Sequence, residues 1–278
     1  MGELAPRFQL VPADKRPGEI DLLMPARGAE PLWSGPADAG RVKEMAWSPA
    51  RSEIAKAILR GNSAVWVVVQ GAAAAVNEAF ESRLRGRLKY LETVAAIPEQ
   101  DPFDPESRLG PGPALRVGFD VVVVERKDPG EELLRRMMVG PKGAEYLADG
   151  TPFAGAVFGR GRMLGPFTAE QLDEAGIDEI CLYLLGACSC QVKAQNPGWD
   201  LLMDTDWDTE LMKVAMAETA SVSNPSAQAA TPARSAEPEL VVIGESSLHR
   251  PNPPARELVL GLGLLALLLI WLGWKNAS

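Results

Sequence analysis

Residues 63–69 read Ser-Ala-Val-Trp-Val-Val-Val, an apolar and mostly β-branched run with no break after its first serine. Side chains alternate between the two faces of a strand, so a strand with one wet face would show polar positions in alternation. This run shows none and is expected to be a central strand covered on both sides. β-branched residues also suit a pleated backbone better than a helix.

The neighbouring segments supply the cover. Residues 72–93 place Val76, Phe80, Leu84, Leu88 and Leu91 at steps of four, four, four and three, the stripe of an amphipathic helix, with Arg83, Arg85, Arg87 and Lys89 mostly on its wet side. Residues 101–113 are rich in Pro and Gly and read as a loop. Residues 115–124 form a second, nearly continuous strand, and Asp128-Pro129 begins a short helix over 131–139. A loop through Pro141 and Gly150 leads to a hairpin, 153–158 and 163–167, turned by Gly159-Arg-Gly-Arg162. Thr168 is the expected cap of a last helix, 169–185, with Leu172, Ile177, Ile180 and Leu184 inward. The order strand, helix, strand, helix, strand, strand, helix predicts an α/β fold, a mixed sheet with helices on both faces.

Ahead of this domain, residues 19–24 and 30–34 are two short apolar runs separated by Pro25-Ala-Arg-Gly28, expected to pair as a hairpin. Two helices follow over 38–45 and 48–59, the second with Ser48 as N-cap and Pro49 in its first turn. A hairpin of this size cannot bury its own faces. At the other end, residues 216–257 are rich in Ala, Ser and Pro and read as a disordered tether. Residues 258–274 then run seventeen positions without a charge, between Glu257 and Lys275. About 17 to 20 apolar residues cross a bilayer, and Trp271, Trp274 and Lys275 suit the interface, so a single C-terminal transmembrane helix is expected. The chain divides into 1–60, 61–215, the tether 216–257 and the span 258–274.

Composition then removes classes of chemistry. Lys and Arg total 28 against 37 Asp and Glu, a formal charge of -9 with a pI near 4.9, which disfavours a nucleic-acid partner. The only histidine, His249, lies in the tether, so a Ser-His-Asp or Cys-His nucleophile system has no base. Three cysteines exclude a disulfide-dense scaffold. No cofactor is expected: Leu164 stands where Gly159-x-Gly161 would need a third glycine for a dinucleotide fingerprint. Asp200, Asp204, Asp206 and Asp208 lack the spacing of a calcium loop, so no metal is assigned there.

The order of elements, with Thr151-Pro152 directly before a strand and Gly159-Arg-Gly161 turning the hairpin, resembles the thioredoxin fold over roughly residues 61–187. The resemblance implies a cis bond at Pro152. It also implies a Cys-x-x-Cys at the start of the first helix, and there the chain reads Gln70-Gly-Ala-Ala-Ala-Ala75, without a thiol. Residues 30–60 look like the second half of a preceding unit of the same kind. Residues 186–207 are similar to the ending of an uncharacterised group of bacterial, often exported, proteins with two thioredoxin-like units.

One pair of residues retains chemistry. Cys188 and Cys190, two positions apart, could close a strained, oxidising disulfide or supply two of four ligands to a soft metal; in a third arrangement Cys181 could reach Cys188. Small buried thiols are the plain alternative. The expectation is a membrane-tethered, redox-degenerate thioredoxin-like binding or scaffold protein with a protein partner, more a binding module than an enzyme. The alternative is a thiol-disulfide oxidoreductase or soft-metal carrier using Cys188 and Cys190. Arg250 and Arg256 before the span outnumber Lys275 after it, and residues 1–20 hold no signal-peptide core. Both favour a cytoplasmic body. The exported relatives imply a periplasmic or external one, with the true start upstream.

Overall fold

A computed structural model describes residues 18–24, 31–98, 111–114, 116–140, 143–186 and 198–222. The strands are β1 (Glu19–Leu22), β2 (Trp33–Pro36), β3 (Ala64–Val69), β4 (Phe119–Val124), β5 (Phe153–Phe158), β6 (Arg162–Thr168) and β7 (Trp199–Asp200). The helices are α1 (Ala39–Ala46), α2 (Pro49–Leu59), α3 (Ala74–Val94), α4 (Glu132–Val139), α5 (Ala144–Asp149), α6 (Glu174–Leu185) and α7 (Trp207–Val222). The fold is mixed α/β.

Five strands form one sheet in the order β4-β3-β5-β6-β7, and β1 pairs with β2 separately. β3 is parallel to β4 and antiparallel to β5, and β5, β6 and β7 continue antiparallel. Every residue of β3 is buried, as its composition requires. Its odd residues, Val65, Val67 and Val69, share a core with Ile54 and Ile58 of α2 and Leu134 and Met138 of α4. Its even residues, Ala64, Trp66 and Val68, share another with Phe80, Leu84 and Leu88 of α3 and Ile177 and Cys181 of α6. Each fully buried valine contributes about 1.5–3 kcal/mol of transfer free energy, so one strand anchors both cores.

The N-terminal elements join the first of these cores. Leu32, Met45, Ala50 and Ala57 cluster with Val67, Met163, Trp199 and Trp207, so residue 60 does not separate two cores. Trp199 and Trp207 pack back onto the domain, and Trp199 Nε1–H donates to the Met137 carbonyl at 2.8 Å. α7 continues through Val222, past residue 215.

Several local expectations need correction. α3 buries Asn77 where the stripe had Val76, and Val76 is 47% exposed. α6 starts at Glu174 with Asp173 as its cap, whose side chain accepts from Gly176 N–H. Thr168 instead closes a separate turn: its Oγ1 accepts from Gln171 N–H at 3.2 Å while Gln171 Oε1 accepts from Thr168 N–H at 2.9 Å. The loop assigned between Pro141 and Gly150 contains α5, a helix too short to show a period. β4 begins at Phe119 rather than at residue 115.

Among the described residues no helix is long and apolar enough to cross a membrane. The 258–274 run, most of the tether and His249 lie outside those residues.

Candidate functional site

β3 delivers the chain into residues 70–73, and this turn packs against the loop that precedes β5. Gln70 N–H donates to the Val124 carbonyl at 3.0 Å, and Ala72 N–H to the Gly150 carbonyl at 2.7 Å. Asn77 fastens Gly71 from both sides: its Oδ1 accepts from Gly71 N–H at 2.7 Å, and its Nδ2 donates to the Gly71 carbonyl at 3.2 Å. That pair of hydrogen bonds explains the burial of a polar residue on α3. A side chain at Gly71 would place its Cβ 2.5 Å from Gly150 O and 2.8 Å from Pro152 Cδ, so only glycine permits the approach.

The same turn opens α3. Ala73 is the N-cap and offers no side-chain acceptor, leaving the first N–H groups of a 21-residue helix without a side-chain cap. Residues 71–75 carry no thiol, acid or base. The turn holds the partial positive charge of a helix start and a fixed backbone, and beside it Gln70 donates to the Glu81 carboxylate at 3.0 Å and the Thr151 hydroxyl to Asp149.

Pro152 is buried at this turn, next to Gly71. The cis bond expected there is found elsewhere: the cis peptide among the described residues is Gly165–Pro166, in β6. Gly165 adopts φ 124°, beside the register shift between Ala154 and Ala156 of β5.

Of the three cysteines the structure describes Cys181, which is free and fully buried on α6. Burial pushes its thiol up to about 12; the Trp66 indole opposes this and the charge of Asp178 adds to it. Trp66 Nε1–H meets no acceptor at bonding geometry among the described residues. Cys181 is a small core residue without thiolate character at neutral pH. Cys188 and Cys190 lie outside the described residues. The acidic run forms no cluster able to hold a metal among the described residues. Instead Asp208 pairs with Arg160 at 2.6 Å, Asp200 lies 3.6 Å from Arg162, and Asp206 accepts from Thr209 Oγ1 at 2.6 Å.

Two polar clusters escaped the sequence reading. Arg51 is 2% exposed and donates to the carbonyls of Met45, Glu44 (2.8 Å), Trp47 (2.9 Å) and Leu202 (3.1 Å), and through Nε to Ser48 Oγ (3.0 Å). Ser48 Oγ in turn donates to Glu131 Oε2 at 2.5 Å, and Ala50 N–H donates to Glu131 Oε1 at 2.7 Å. Burial lowers Arg51 to about 10, and Glu131 opposes that shift. The cluster ties the start of α2 to the segment before α4 and to residue 202, which makes it a structural knot. The second cluster lines an open depression of about 450 Å³ beside the first residues of β3 and β4. There Arg60 and Asn62 each donate to Asp120 Oδ2 at 2.7 Å, and Arg116 donates to Asn62 Oδ1 at 3.1 Å. Arg60 and Asp120 pair within it, while Arg116 bonds the Asn62 amide and Glu92 the Phe119 N–H.

No family model, curated protein or solved structure matches this chain. What the turn between β3 and α3 can do therefore rests on its geometry alone. Its glycine and alanines carried one legible signal, the absence of a thiol. The role of Asn77 had none, because a polar residue beside an apolar stripe ordinarily marks the wet side.

Proposed function

We propose that this chain is a membrane-tethered binding or scaffold protein whose thioredoxin-like domain lacks dithiol chemistry at the turn between β3 and α3. The observation that carries the reading is this turn: a strand feeds a helix start held against the Gly150–Pro152 loop, and residues 70–75 contain no thiol. The strand order β4-β3-β5-β6, with β3 and β4 parallel and β5 and β6 antiparallel, supports the thioredoxin-like part. α3 and α6 on one side, tied by Arg87 to Asp178 at 2.6 Å, support it too. The charge-free run 258–274 supports the tether.

A helix start without a side-chain cap, beside an exposed Val76, suits recognition of an extended peptide or acidic group better than turnover. The test is insulin reduction by the full chain in detergent, before and after Cys188→Ser. No reduction in either supports the binding reading. Reduction that disappears with Cys188→Ser, together with a reversible Cys188–Cys190 bond by mass spectrometry, transfers the proposal to an oxidoreductase. Protease protection in intact cells reports which side of the membrane the body occupies; protection from external protease supports the cytoplasmic side.

A further inference from the structure

β4 is an edge strand of the five-stranded sheet, and its sequence is Phe-Asp-Val-Val-Val-Val. Its inner edge is identified by the ladder: Ala64 N–H points to the Gly118 carbonyl and Gln70 N–H to the Val124 carbonyl, so the even-numbered residues of β4 face β3. In a strand, successive residues present their backbone groups to opposite edges. The backbone groups of Phe119, Val121 and Val123 therefore face outward. Two side chains of α3 agree with this: Glu92 Oε1 accepts from Phe119 N–H at 2.8 Å, and Arg85 Nη2 approaches the Val121 carbonyl at 3.4 Å. Among the described residues the N–H groups of Val121 and Val123 have no acceptor.

Natural edges are protected by proline, lysine, a bulge or an inward charge. The outward positions of β4 hold no proline, lysine or bulge, its register with β3 is regular throughout, and the charges at this edge are Asp120 and the two α3 side chains, Glu92 and Arg85. We propose that the outer edge of β4 pairs antiparallel with β4 of a second copy of this chain, joining two sheets across a two-fold axis at Asp120.

The register follows from charge. Glu92 sits over Phe119 and Arg85 over Val121, two residues apart on the edge. An axis at Asp120 sets Phe119 opposite Val121 of the second copy, and the reverse, forming two hydrogen-bonded pairs with both partners of each pair outward-facing. The same operation brings Glu92 of each copy to Arg85 of the other. Each side chain exchanges a backbone partner for an opposite charge. An axis at Val121 would instead bring Arg85 to Arg85, which like-charge repulsion disfavours. Asp120 meets its own copy on the axis, but each is held by its own Arg60 at 2.7 Å. Gly86 of α3, next to Arg85, has open space around it and adds no bulk where the two helices would approach.

The test is sedimentation equilibrium of the full chain in density-matched detergent, with hydrogen exchange read at Val121 and Val123. The expected result is a dimer in which the Val121 amide, taken up by the pair with Phe119 of the second copy, is slowed. Val121→Pro removes an outward N–H without touching the ladder to β3, and it should shift the chain to monomer. Arg85→Glu should weaken association about tenfold through two unfavourable contacts, and Arg85→Glu with Glu92→Arg should restore it. A monomer with freely exchanging amides overturns the proposal. So does a dimer undiminished by both Val121→Pro and Arg85→Glu, which places the contact on another surface, and so does a protected Val121 amide in a monomer, which gives the edge to another segment of the same chain.

Discussion

Arg51→Ala removes the centre of the buried knot at the start of α2. Arg51 serves four backbone carbonyls and Ser48 Oγ, and its charge faces Glu131, which is 3% exposed. Arg51 and Glu131 are linked through Ser48 Oγ, and removing the arginine leaves several buried carbonyls without a donor and Glu131 without its nearby opposite charge, a loss of about 3–5 kcal/mol. The bonds to the carbonyls of Glu44 and Trp47 are only partly buried, so water recovers some of the loss and the lower half of that range is expected. At a urea slope of about 2 kcal/mol/M the midpoint falls by about 1.5–2 M. Arg51→Lys supplies at most three donors for five acceptors and should lie between Arg51→Ala and the parent. In a Glu131→Gln background Arg51→Ala should cost less, since no unpaired charge remains. A midpoint shift under about 0.5 M for Arg51→Ala, or strict additivity with Glu131→Gln, would show that Arg51 does not hold this knot together.

Three further outcomes follow from the structure. Cys181, pushed up to about 12 and fully buried, should resist thiol reagents at about pH 8 in the folded protein and react at the rate of unfolding, as followed by absorbance with a chromogenic disulfide. The carboxyl of Asp178 is held low by its side-chain bond to Arg87. Its contribution is therefore present above the ordinary aspartate range and lost as pH falls through the lower folded value; Asp178→Asn should flatten that acid limb in urea midpoints measured from about pH 2 to 5. Gly71→Ala drives a Cβ against Gly150 O and Pro152 Cδ and should destabilise by roughly 1–3 kcal/mol in the same assay.

Much of the architecture was legible because it depends on local patterns. The 63–69 run could only be a covered strand, and Ser48-Pro49 announced α2, where Ser48 indeed accepts from Arg51 N–H. The hairpin at 159–162 was legible from its glycines, of which Gly159 and Gly161 adopt φ 58° and 88°. What failed was set by contacts outside the local pattern. Asn77 turns inward because Gly71, in the turn before the helix, needs both of its backbone groups satisfied. Arg51 is buried because carbonyls from residues 44–47 and 202 converge on it, and a chain-local pattern registers such an arginine as wet. The cap of α6 moved from Thr168 to Asp173 because Thr168 and Gln171 bond one another first. At the candidate site the missing thiols were visible, and the packing of Gly71 on Pro152 was not.

We propose the turn between β3 and α3 as a thioredoxin-like helix start that lacks thiols and whose neighbouring Pro152 lacks the cis bond. It is tested by Ala72→Cys with Ala75→Cys, made in a chain that also carries Cys188→Ser and Cys190→Ser. These positions flank the N-cap Ala73, so one thiol precedes the helix and the other enters its first turn. The expected result is a reversible intramolecular disulfide and a first thiol titrating at about 7, below the usual value of about 8.5, because the uncapped helix start favours thiolate. Two thiols that titrate at about 8.5 or above and form no bond under mild oxidation would contradict it.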